Sequence, residues 1–278
     1  MNQQYITNLI ISKISSSRDL IESQWKHPER TNTRHFIIDE LIEPTICNKI
    51  YEAFPKDGHG FYKRKSLREE KRTSAQLSDY DEILSQITFA LQDSRVVSLI
   101  SEIVGIDRIE PDPKLYAGGL SMMFRGDFLN PHIDNSHDAL RNKYRRLNLL
   151  YYVSPDWKLE NGGNFELWNN ERTRPKTIVA IANRLVVMET NKHSWHSVSR
   201  VETDRPRCCV SNYYFSDVSP DLSDYFHVTS FDGRPNESFK RVFLVLDNIA
   251  RNIFSRVTKI GRGKKEINQD KTSTYRDT

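Results

Sequence analysis

The spacing of hydrophobic positions in this chain changes near its middle. Before Gly105, apolar residues recur every three or four positions, for example at Ile6, Ile10 and Ile14, which is the period of helices that bury one face. Between about residues 114 and 217, short runs rich in Leu, Val, Ile, Tyr and Phe alternate with turn residues. Such runs without helical patterns between them predict an antiparallel sandwich or barrel.

The first third of the chain predicts a mainly helical approach to that β region. Residues 1–30 predict one amphipathic helix, and the run HFIIDELI predicts a short strand. A second helix is expected to begin near Pro44, because proline is well tolerated in a first helical turn. Residues 55–78 are rich in charge, Gly and Ser and predict a mobile loop. Residues 79–105 carry a buried stripe that is typical of two helices.

The last part of the chain predicts one more amphipathic helix and a polar tail. The helical stripe consists of Phe239, Val242, Leu246, Ile249, Ile253 and Val257. We expect this helix to pack on the barrel or on a partner subunit, and peripheral membrane contact is the weaker alternative. Residues 261–278 are basic and predict disorder.

Composition narrows the classes of protein to which the chain can belong. The net charge is +4, but residues 234–278 carry eleven Lys/Arg and five Asp/Glu. The rest is therefore near neutral, which is not the pattern of a nucleic-acid groove. The three cysteines form no CxxC pair, and with no signal sequence or membrane-spanning apolar run we expect a soluble protein of the reducing cytoplasm.

Candidate metal ligands lie in the stretch PHID, residues 131–134. Alternate strand residues point to the same face, so His132 and Asp134 can approach one metal ion. The first candidate for a third ligand is His196 in SWHSV, and His193 is the alternative. Two imidazoles and one carboxylate leave coordination positions open and suit non-haem Fe(II) oxygen chemistry. Standing alone, however, a His-x-Asp is more often a surface histidine beside a turn aspartate.

A candidate anion-binding strand follows the last of these histidines. Arg207 opens the run RCCVSNYYF, and a guanidinium binds a carboxylate through two parallel hydrogen bonds. Ser211 lies four residues further on the same face and can add a hydroxyl donor. Arg205 is the alternative, although Pro206 would interrupt strand pairing beside it.

With these pieces in this order, the region from about Leu115 to Asp217 resembles the 2-oxoglutarate/Fe(II)-dependent dioxygenases, in particular their prolyl-4-hydroxylase-like branch. The matching pieces are PHID, RRLNLLYYVSPDW, ENGGNFELW, SWHSV and RCCVSNYYF. The resemblance implies a double-stranded β-helix (jelly roll) with iron at its open mouth. The lead-in FIIDELIEPTICNKIYEAF also resembles the approach of that branch to its barrel.

The resemblance implies that His132, Asp134 and His196 are the iron ligands. It implies Fe(II), 2-oxoglutarate and O2 as cofactor and cosubstrates, with ascorbate as a candidate stimulant. Family halogenases replace the ligand carboxylate with a small residue, so the presence of Asp134 favours hydroxylation.

The resemblance also implies a 2-oxoglutarate site. Arg207 matches the residue that pairs with the far carboxylate of 2-oxoglutarate, and Ser211 matches a supporting hydroxyl. Tyr152 lies where some relatives place a tyrosine hydroxyl on the same carboxylate. Many relatives carry a tyrosine about eight residues before the His-x-Asp, and here that position is Phe124, which cannot hydrogen-bond.

Other residues of this region are weaker candidates. Some come from segments near the predicted mouth and could line a substrate pocket, although ordinary packing or rim roles are favoured: His137, Arg125, Arg146 and Trp168. Cys208 and Cys209 occupy opposite faces of one strand, so we expect them to be small strand residues and not metal ligands.

Taken together, these patterns predict an α+β, mainly β protein with a jelly-roll core and flanking N-terminal and C-terminal helices. We expect a helical extension over 1–30, a dioxygenase domain over 31–220 and a helical segment over 221–260. The expected activity is hydroxylation of an unactivated C–H bond in a small molecule or carrier-borne metabolite, with release of succinate and CO2. The alternatives are a prolyl or lysyl hydroxylase acting on a macromolecular partner and a non-catalytic jelly-roll binding module, and the oligomeric state stays open.

Overall fold

The computed structural model describes residues 2–221, 223–258 and 267–268. Five helices precede most of the strands, one more than the sequence predicts, and a long sixth helix follows them, as expected. The helices are α1 (Gln3–Ser16), α2 (Arg18–Lys26), α3 (Pro44–Ala53), α4 (Glu82–Ala90), α5 (Ser94–Val104) and α6 (Ser238–Thr258).

The strands form one curled antiparallel sheet. They are β1 (His35–Ile38), β2 (Tyr62–Lys65), β3 (Glu69–Ser74), β4 (Glu110–Pro111), β5 (Gly119–Met123), β6 (Phe128–Ile133), β7 (Tyr144–Tyr152), β8 (Phe165–Trp168), β9 (Pro175–Ile178), β10 (Arg184–Glu189), β11 (His196–Val198), β12 (Arg207–Ser216) and β13 (Ser230–Phe231). Their order in the sheet is β1-β10-β7-β12-β5-β3-β6-β11-β8-β9, and β2, β4 and β13 attach at its sides. This half-barrel confirms the predicted jelly-roll core with flanking helices.

The two faces of the sheet bury two different sets of side chains. Neighbouring residues of a strand point to opposite faces, and on β12 Cys208 packs towards the helices while Cys209 faces the barrel interior. The helix side is the larger core and includes Ile6, Ile10 and Ile14 of α1. Each fully buried side chain of this kind contributes about 1.5–3 kcal/mol, so their burial stabilises the packing of the helices on the outer face of the barrel.

The N-terminal helix differs from the sequence prediction, because it is two helices and not one. The chain leaves helical geometry at Ser17, where φ is −101° and ψ is 10°, and α2 begins at the next residue. Ile14 and Ile21 are nevertheless both fully buried, so the break leaves the period of the apolar positions intact. The hydrophobic pattern alone therefore could not reveal it.

Residues 55–78 also differ from the prediction of a mobile loop. They contain the hairpin β2–β3, in which β3 pairs with both β5 and β6. The hairpin carries charged side chains in place of an alternating apolar pattern, and an ion pair of 2.9 Å joins Lys63 to Glu70 across the strands. Neighbouring strands supply its stability, which composition could not predict.

The helix α6 packs on the barrel, but it does so through the side opposite its apolar stripe. Phe239 is 96% exposed and Ile253 is 59% exposed, whereas Leu244 on the opposite side is fully buried. The side chain of Val257 lies outside the described residues. None of the described helices is both long enough and apolar enough to cross a membrane.

The predicted disordered tail, residues 261–278, lies outside the described residues apart from Ile267 and Asn268. The carbonyl of Ile267 accepts a hydrogen bond from Gln76, and the amide of Asn268 donates one to Lys114.

Candidate active site

Two histidines face each other across neighbouring strands of the barrel. His132 on β6 lies directly opposite His196 on β11, and their ring centroids are 4.1 Å apart. In each ring Nδ1 bonds a backbone carbonyl two residues earlier, at 2.8 Å for Asn130 and 2.9 Å for Ser194. Because the carbonyl requires Nδ1 to be the donor, the Nε2 lone pair of each ring is free to bind a metal.

Asp134 completes this cluster. Its Oδ1 lies 3.8 Å from Nε2 of His132, and its Oδ2 lies 3.5 Å from Nε2 of His196. The three ligand atoms all lie within 4.8 Å of one another. The structure therefore brings together the three residues that the sequence singled out, in an arrangement that one ion could bridge.

Two residues of β7 hold the Asp134 carboxylate. Asn148 Nδ2 donates to Asp134 Oδ2 at 2.6 Å, and Arg145 Nη1 lies 3.4 Å from the same oxygen. The Arg145 side chain is 1% exposed, and its guanidinium stacks 4.0 Å above the Tyr213 ring. A buried guanidinium next to a carboxylate and an aromatic face is held in place, so the carboxylate has little freedom to rotate.

The electrostatics of the cluster favour the forms that bind metal. Burial, assisted by the nearby His196, lowers the pKa of His132 to about 3, and burial also lowers the pKa of His196. Burial alone would raise the pKa of Asp134, but Arg145 and the two histidines outweigh it and hold that pKa well below its usual range. The cluster is thus two neutral imidazoles and one carboxylate at neutral pH, which is the protonation that metal binding requires.

A second group of polar side chains lies inside the barrel. In the β12–β7 pairing Cys209 lies opposite Tyr152, so Tyr152 shares the interior face with Arg207 and Ser211. The guanidinium carbon of Arg207 is 5.3 Å from the Tyr152 ring centroid, and Arg207 Nη1 donates to the carbonyl of Gly163 at 3.2 Å. The Ser211 hydroxyl lies 3.8 Å from Cys209 Sγ.

This second group has unused hydrogen-bonding capacity. Among the described residues, neither the Tyr152 hydroxyl nor Arg207 Nε has a hydrogen-bond partner, although both atoms are buried. Buried polar atoms are normally paired, so two such donors on one face indicate a place for an acceptor. A carboxylate fits them, and the residues present therefore fit 2-oxoglutarate as well as Fe(II), which prefers the two-imidazole, one-carboxylate set.

Phe124, at the position where many relatives carry a tyrosine, does not take part in the second group of polar side chains. Its ring lies under the guanidinium of Arg72, 4.1 Å away, and packs with the helix-side core. The neighbouring residue Met123 faces the interior instead. Tyr152 is therefore the tyrosine whose hydroxyl is available beside Arg207.

The sequence alternatives lie away from both groups. His193 is exposed in a turn before β11, outside the cluster of ligand atoms. Arg205 is bound to the backbone carbonyls of Pro155 and Asp156 at the protein surface.

A cavity of about 320 Å³ opens in front of His132 and Asp134. Its walls come from the hairpin β2–β3, the loop 135–141, the segment 226–231 and the inner side of α6. Besides Asp134 the lining includes two acidic side chains, Glu69 and Asp138. The basic side chains in the lining are Arg64, Arg68, Lys71, Arg141 and Arg251.

Of the weaker candidates, His137 lies closest to this opening. It lines the cavity, its Nδ1 lies 2.8 Å from the Ser136 hydroxyl, and it is buried, unlike a histidine of a surface turn. The other three do not line it. Arg125 forms an exposed ion pair with Asp204, Arg146 donates to the carbonyl of Val218, and Trp168 donates to Ser197.

Sequence reasoning missed Asn148 and Arg145. Both lie in the quoted strand RRLNLLYYVSPDW, but the candidates chosen there were Arg146 and Tyr152. The β12–β7 pairing shifts register between Tyr214 and Phe215, and this irregularity breaks the simple alternation of faces near Arg145. Strict alternation was the only signal available, and it could not identify this side chain.

Comparison with known proteins supplies independent information. Residues 118–215 match the sequence model of the 2OG-Fe(II) oxygenase superfamily, a segment that contains both groups of residues. No curated protein sequence matches the chain.

Solved structures resemble the fold at low sequence identity. A prolyl-4-hydroxylase from Pseudomonas putida aligns with a TM-score of 0.53 and 13% identity over 72% of this chain and 98% of its own. A prolyl 4-hydroxylase from Phytophthora capsici has a TM-score of 0.53 and 14% identity, over 90% and 77% of the two chains. A Trichoplax adhaerens prolyl hydroxylase, in complex with a hypoxia inducible factor peptide fragment, has a TM-score of 0.51 and 16% identity over 80% and 94%.

Proposed function

We propose that this protein hydroxylates an unactivated C–H bond of a small molecule or carrier-borne metabolite, with release of succinate and CO2. The match of residues 118–215 to the sequence model of the 2OG-Fe(II) oxygenase superfamily supports this proposal. The observation that carries the proposal is the pairing of two features in one barrel. One is the cluster of His132, Asp134 and His196. The other is the pair of unpartnered buried donors on Tyr152 and Arg207.

In this proposal His132, Asp134 and His196 hold Fe(II), which supplies the oxidation by O2 of both 2-oxoglutarate and the substrate C–H bond. The chain's own contribution is to present two neutral imidazoles whose Nδ1 atoms are occupied by carbonyls. Asn148 and Arg145 keep the Asp134 carboxylate ionised and oriented. Outer hydrogen bonds of this kind orient metal ligands and raise metal affinity.

Arg207, Tyr152 and Ser211 bind 2-oxoglutarate in the same proposal. Arg207 offers charge-assisted hydrogen bonds to the carboxylate far from the metal, and the Tyr152 hydroxyl adds one donor. The surrounding interior is apolar and includes Met123, Val186 and other residues of the inner cluster. Exclusion of water strengthens these polar contacts.

The shape of the opening favours a small substrate. The cavity has a volume of about 320 Å³, and the hairpin β2–β3 and α6 are among its walls, which favours a compact molecule over an extended chain. Five basic and three acidic side chains in its lining favour a substrate with anionic groups.

A protein substrate is the second candidate. The Trichoplax adhaerens structure holds a peptide fragment, and our chain shares its fold. Succinate formation with a panel of small acids and with proline-containing and lysine-containing peptides distinguishes the two candidates. The cytoplasmic location stays a prediction, supported by three free, buried cysteines.

The test of the proposal is an anaerobic titration of the purified protein. We expect Fe(II) and then 2-oxoglutarate to produce a saturable charge-transfer band in visible light. His196→Ala removes one ligand and should abolish the band, whereas His193→Ala, an exposed histidine three residues away, should leave it unchanged. The absence of a band in folded protein with excess Fe(II) would overturn the proposal in favour of a binding module.

A further inference from the structure

The outer side of α6 is an apolar surface that the described part of the chain leaves uncovered. We define the α6 apolar face as Phe239, Val242, Leu246, Ile249 and Ile253. These residues recur at helical spacing and are 96%, 65%, 62%, 53% and 59% exposed, respectively. An amphipathic helix of a monomeric soluble protein normally turns such a face towards the core. Here the orientation is the reverse.

Polar contacts with the barrel hold the helix in this orientation. Asn248 accepts a hydrogen bond from the Phe231 amide at 2.9 Å and donates one to the Phe231 carbonyl at 2.6 Å. Asn252 accepts from the Val228 amide at 3.1 Å, and Arg251 donates to the Thr229 carbonyl at 2.8 Å.

The far end of the helix is held in the same way. Arg141 donates to the carbonyl and the hydroxyl of Ser255 at 3.1 and 2.9 Å, and near the middle of the helix Arg68 lies 3.5 Å from Asp247. Turning the helix to bury its apolar face would break these contacts together. The exposure of the face is therefore a property of how α6 is attached.

An exposed face of this size requires a partner. Burial of a Phe, Leu or Ile side chain contributes about 1.5–3 kcal/mol, and contiguous apolar patches on soluble proteins mark sites of interaction with proteins or membranes. The charge of the chain distinguishes between these partners. Residues 234–278 contain eleven basic and five acidic residues, whereas the rest of the chain is slightly acidic.

A second copy of this chain is a poor partner for that face. Pairing two α6 helices about a two-fold axis presents the same surface twice, so both partners would contribute the same net positive charge, with eleven basic and five acidic residues in residues 234–278 of each copy. A lipid bilayer with negatively charged headgroups is a better partner. Its headgroups attract the basic residues, and its apolar interior accepts the apolar side chains.

We propose that the α6 apolar face binds to the surface of membranes that contain anionic phospholipids. The helix lies in the interface and does not cross it, since no described helix is long and apolar enough to span a bilayer. Apolar insertion and attraction of basic residues to anionic headgroups then act together. The inner side of α6 also lines the active-site cavity through Arg251 and Ser255, so membrane binding would hold this opening close to the lipid surface.

The experiment is sedimentation of the full chain with vesicles of phosphatidylcholine alone and with vesicles of phosphatidylcholine and phosphatidylglycerol. We expect binding to the anionic vesicles that weakens as salt is raised. The triple variant Phe239→Ser, Leu246→Ser, Ile253→Ser should bind at least about tenfold more weakly, because it removes three inserting side chains.

The matched control changes three apolar residues with similar exposure elsewhere. Leu20, Leu67 and Leu159 are 55%, 63% and 59% exposed, and their triple serine variant should bind the anionic vesicles like the unmodified protein. Equal binding by the α6 variant, or no binding by the unmodified protein, would overturn the proposal. A dimer in solution that the α6 variant loses would also overturn it, in favour of a subunit interface.

This proposal does not depend on the proposed catalytic function, since vesicle binding requires no turnover. The two can also fail separately. The charge-transfer band tests the iron and 2-oxoglutarate site in the α6 variant as well, and we expect it unchanged because none of the three substituted residues lines the cavity.

Discussion

At the scale of single residues, the candidate site depends on what each polar group has already bound. His132 and His196 use Nδ1 for backbone carbonyls, which leaves Nε2 for a metal. Arg207 uses Nη1 for Gly163 but leaves Nε without a partner among the described residues. The residue types were visible in the sequence, whereas the atoms left available were not.

Arg207→Ala should raise the 2-oxoglutarate concentration needed for half-maximal charge-transfer absorbance. A hydrogen bond to a charged group contributes about 1.5–3 kcal/mol, which corresponds to roughly ten- to a hundredfold in affinity. Anaerobic titration measures this, and Fe(II) binding in the absence of 2-oxoglutarate should change little. Arg205→Ala is the control, since that side chain binds surface carbonyls. A larger effect in the control would transfer the role to Arg205.

At the scale of secondary-structure elements, local sequence predicted helices better than strands rich in charged residues. The helix α3 begins at Pro44 as expected, because proline suits a first helical turn. The hairpin β2–β3 was not predicted, because its residues are charged and its pairing partners, β5 and β6, lie far along the chain. Its consequence is functional, since the hairpin supplies one wall of the cavity.

The turn before β8 provides a prediction at this scale. Gly162 has φ +67°, and a Cβ there would lie 1.8 Å from the Arg200 carbonyl oxygen. Its ψ is −157°, and this combination of angles is essentially restricted to glycine and costs other residues about 1–3 kcal/mol. Gly162→Ala should therefore add overpacking, typically about 1–3 kcal/mol, to that backbone strain. Because Arg207 donates to the next residue, Gly163, 2-oxoglutarate binding should weaken too.

Gly105→Ala is the matched control for that turn. Gly105 ends α5 with φ +64°, and a Cβ there would meet nothing within 4 Å. Gly105 has ψ 39° and lies in the left-handed helical region, so the variant should show only the strain of that region, about 1–2 kcal/mol. Denaturant unfolding of both variants measures the difference, and equal losses of unfolding free energy would contradict the close approach at Gly162.

At the scale of the whole molecule, burial of histidines links stability to pH. Burial lowers the pKa of His35, which is fully buried on β1, and also lowers the pKa of His137 and His227. In the unfolded chain a histidine has a pKa of about 6.5, so below that pH the unfolded state binds more protons than the folded state. The contribution of the neutral buried rings to the free energy of unfolding is fully present above about pH 6.5. It falls as the pH decreases towards the lowered pKa values of these histidines in the folded state.

The free energy of unfolding of the metal-free protein should therefore decrease as the pH is lowered from about 7.5 to 5. Each buried histidine contributes a slope of up to about 1.4 kcal/mol per pH unit. His35→Gln should reduce this slope, whereas His27→Gln, at an exposed position, should not. An unchanged slope in the His35 variant would mean that this ring binds protons equally in the folded and the unfolded state.

The sequence by itself determined the class of fold and the residue types of the site. The change from a helical period to short strands predicts the helical layer and the jelly roll, and PHID, SWHSV and RCCVSNYYF identify the candidate ligands, because these signals are local. The tertiary structure alone decided three other features: the break at Ser17, the contacts of Asn148 and Arg145 with Asp134, and the outward orientation of α6. The physical reason is that such features depend on partners far along the chain, on a shift in strand register, or on which face of a helix finds hydrogen bonds. None of these causes changes the spacing of apolar residues in the sequence.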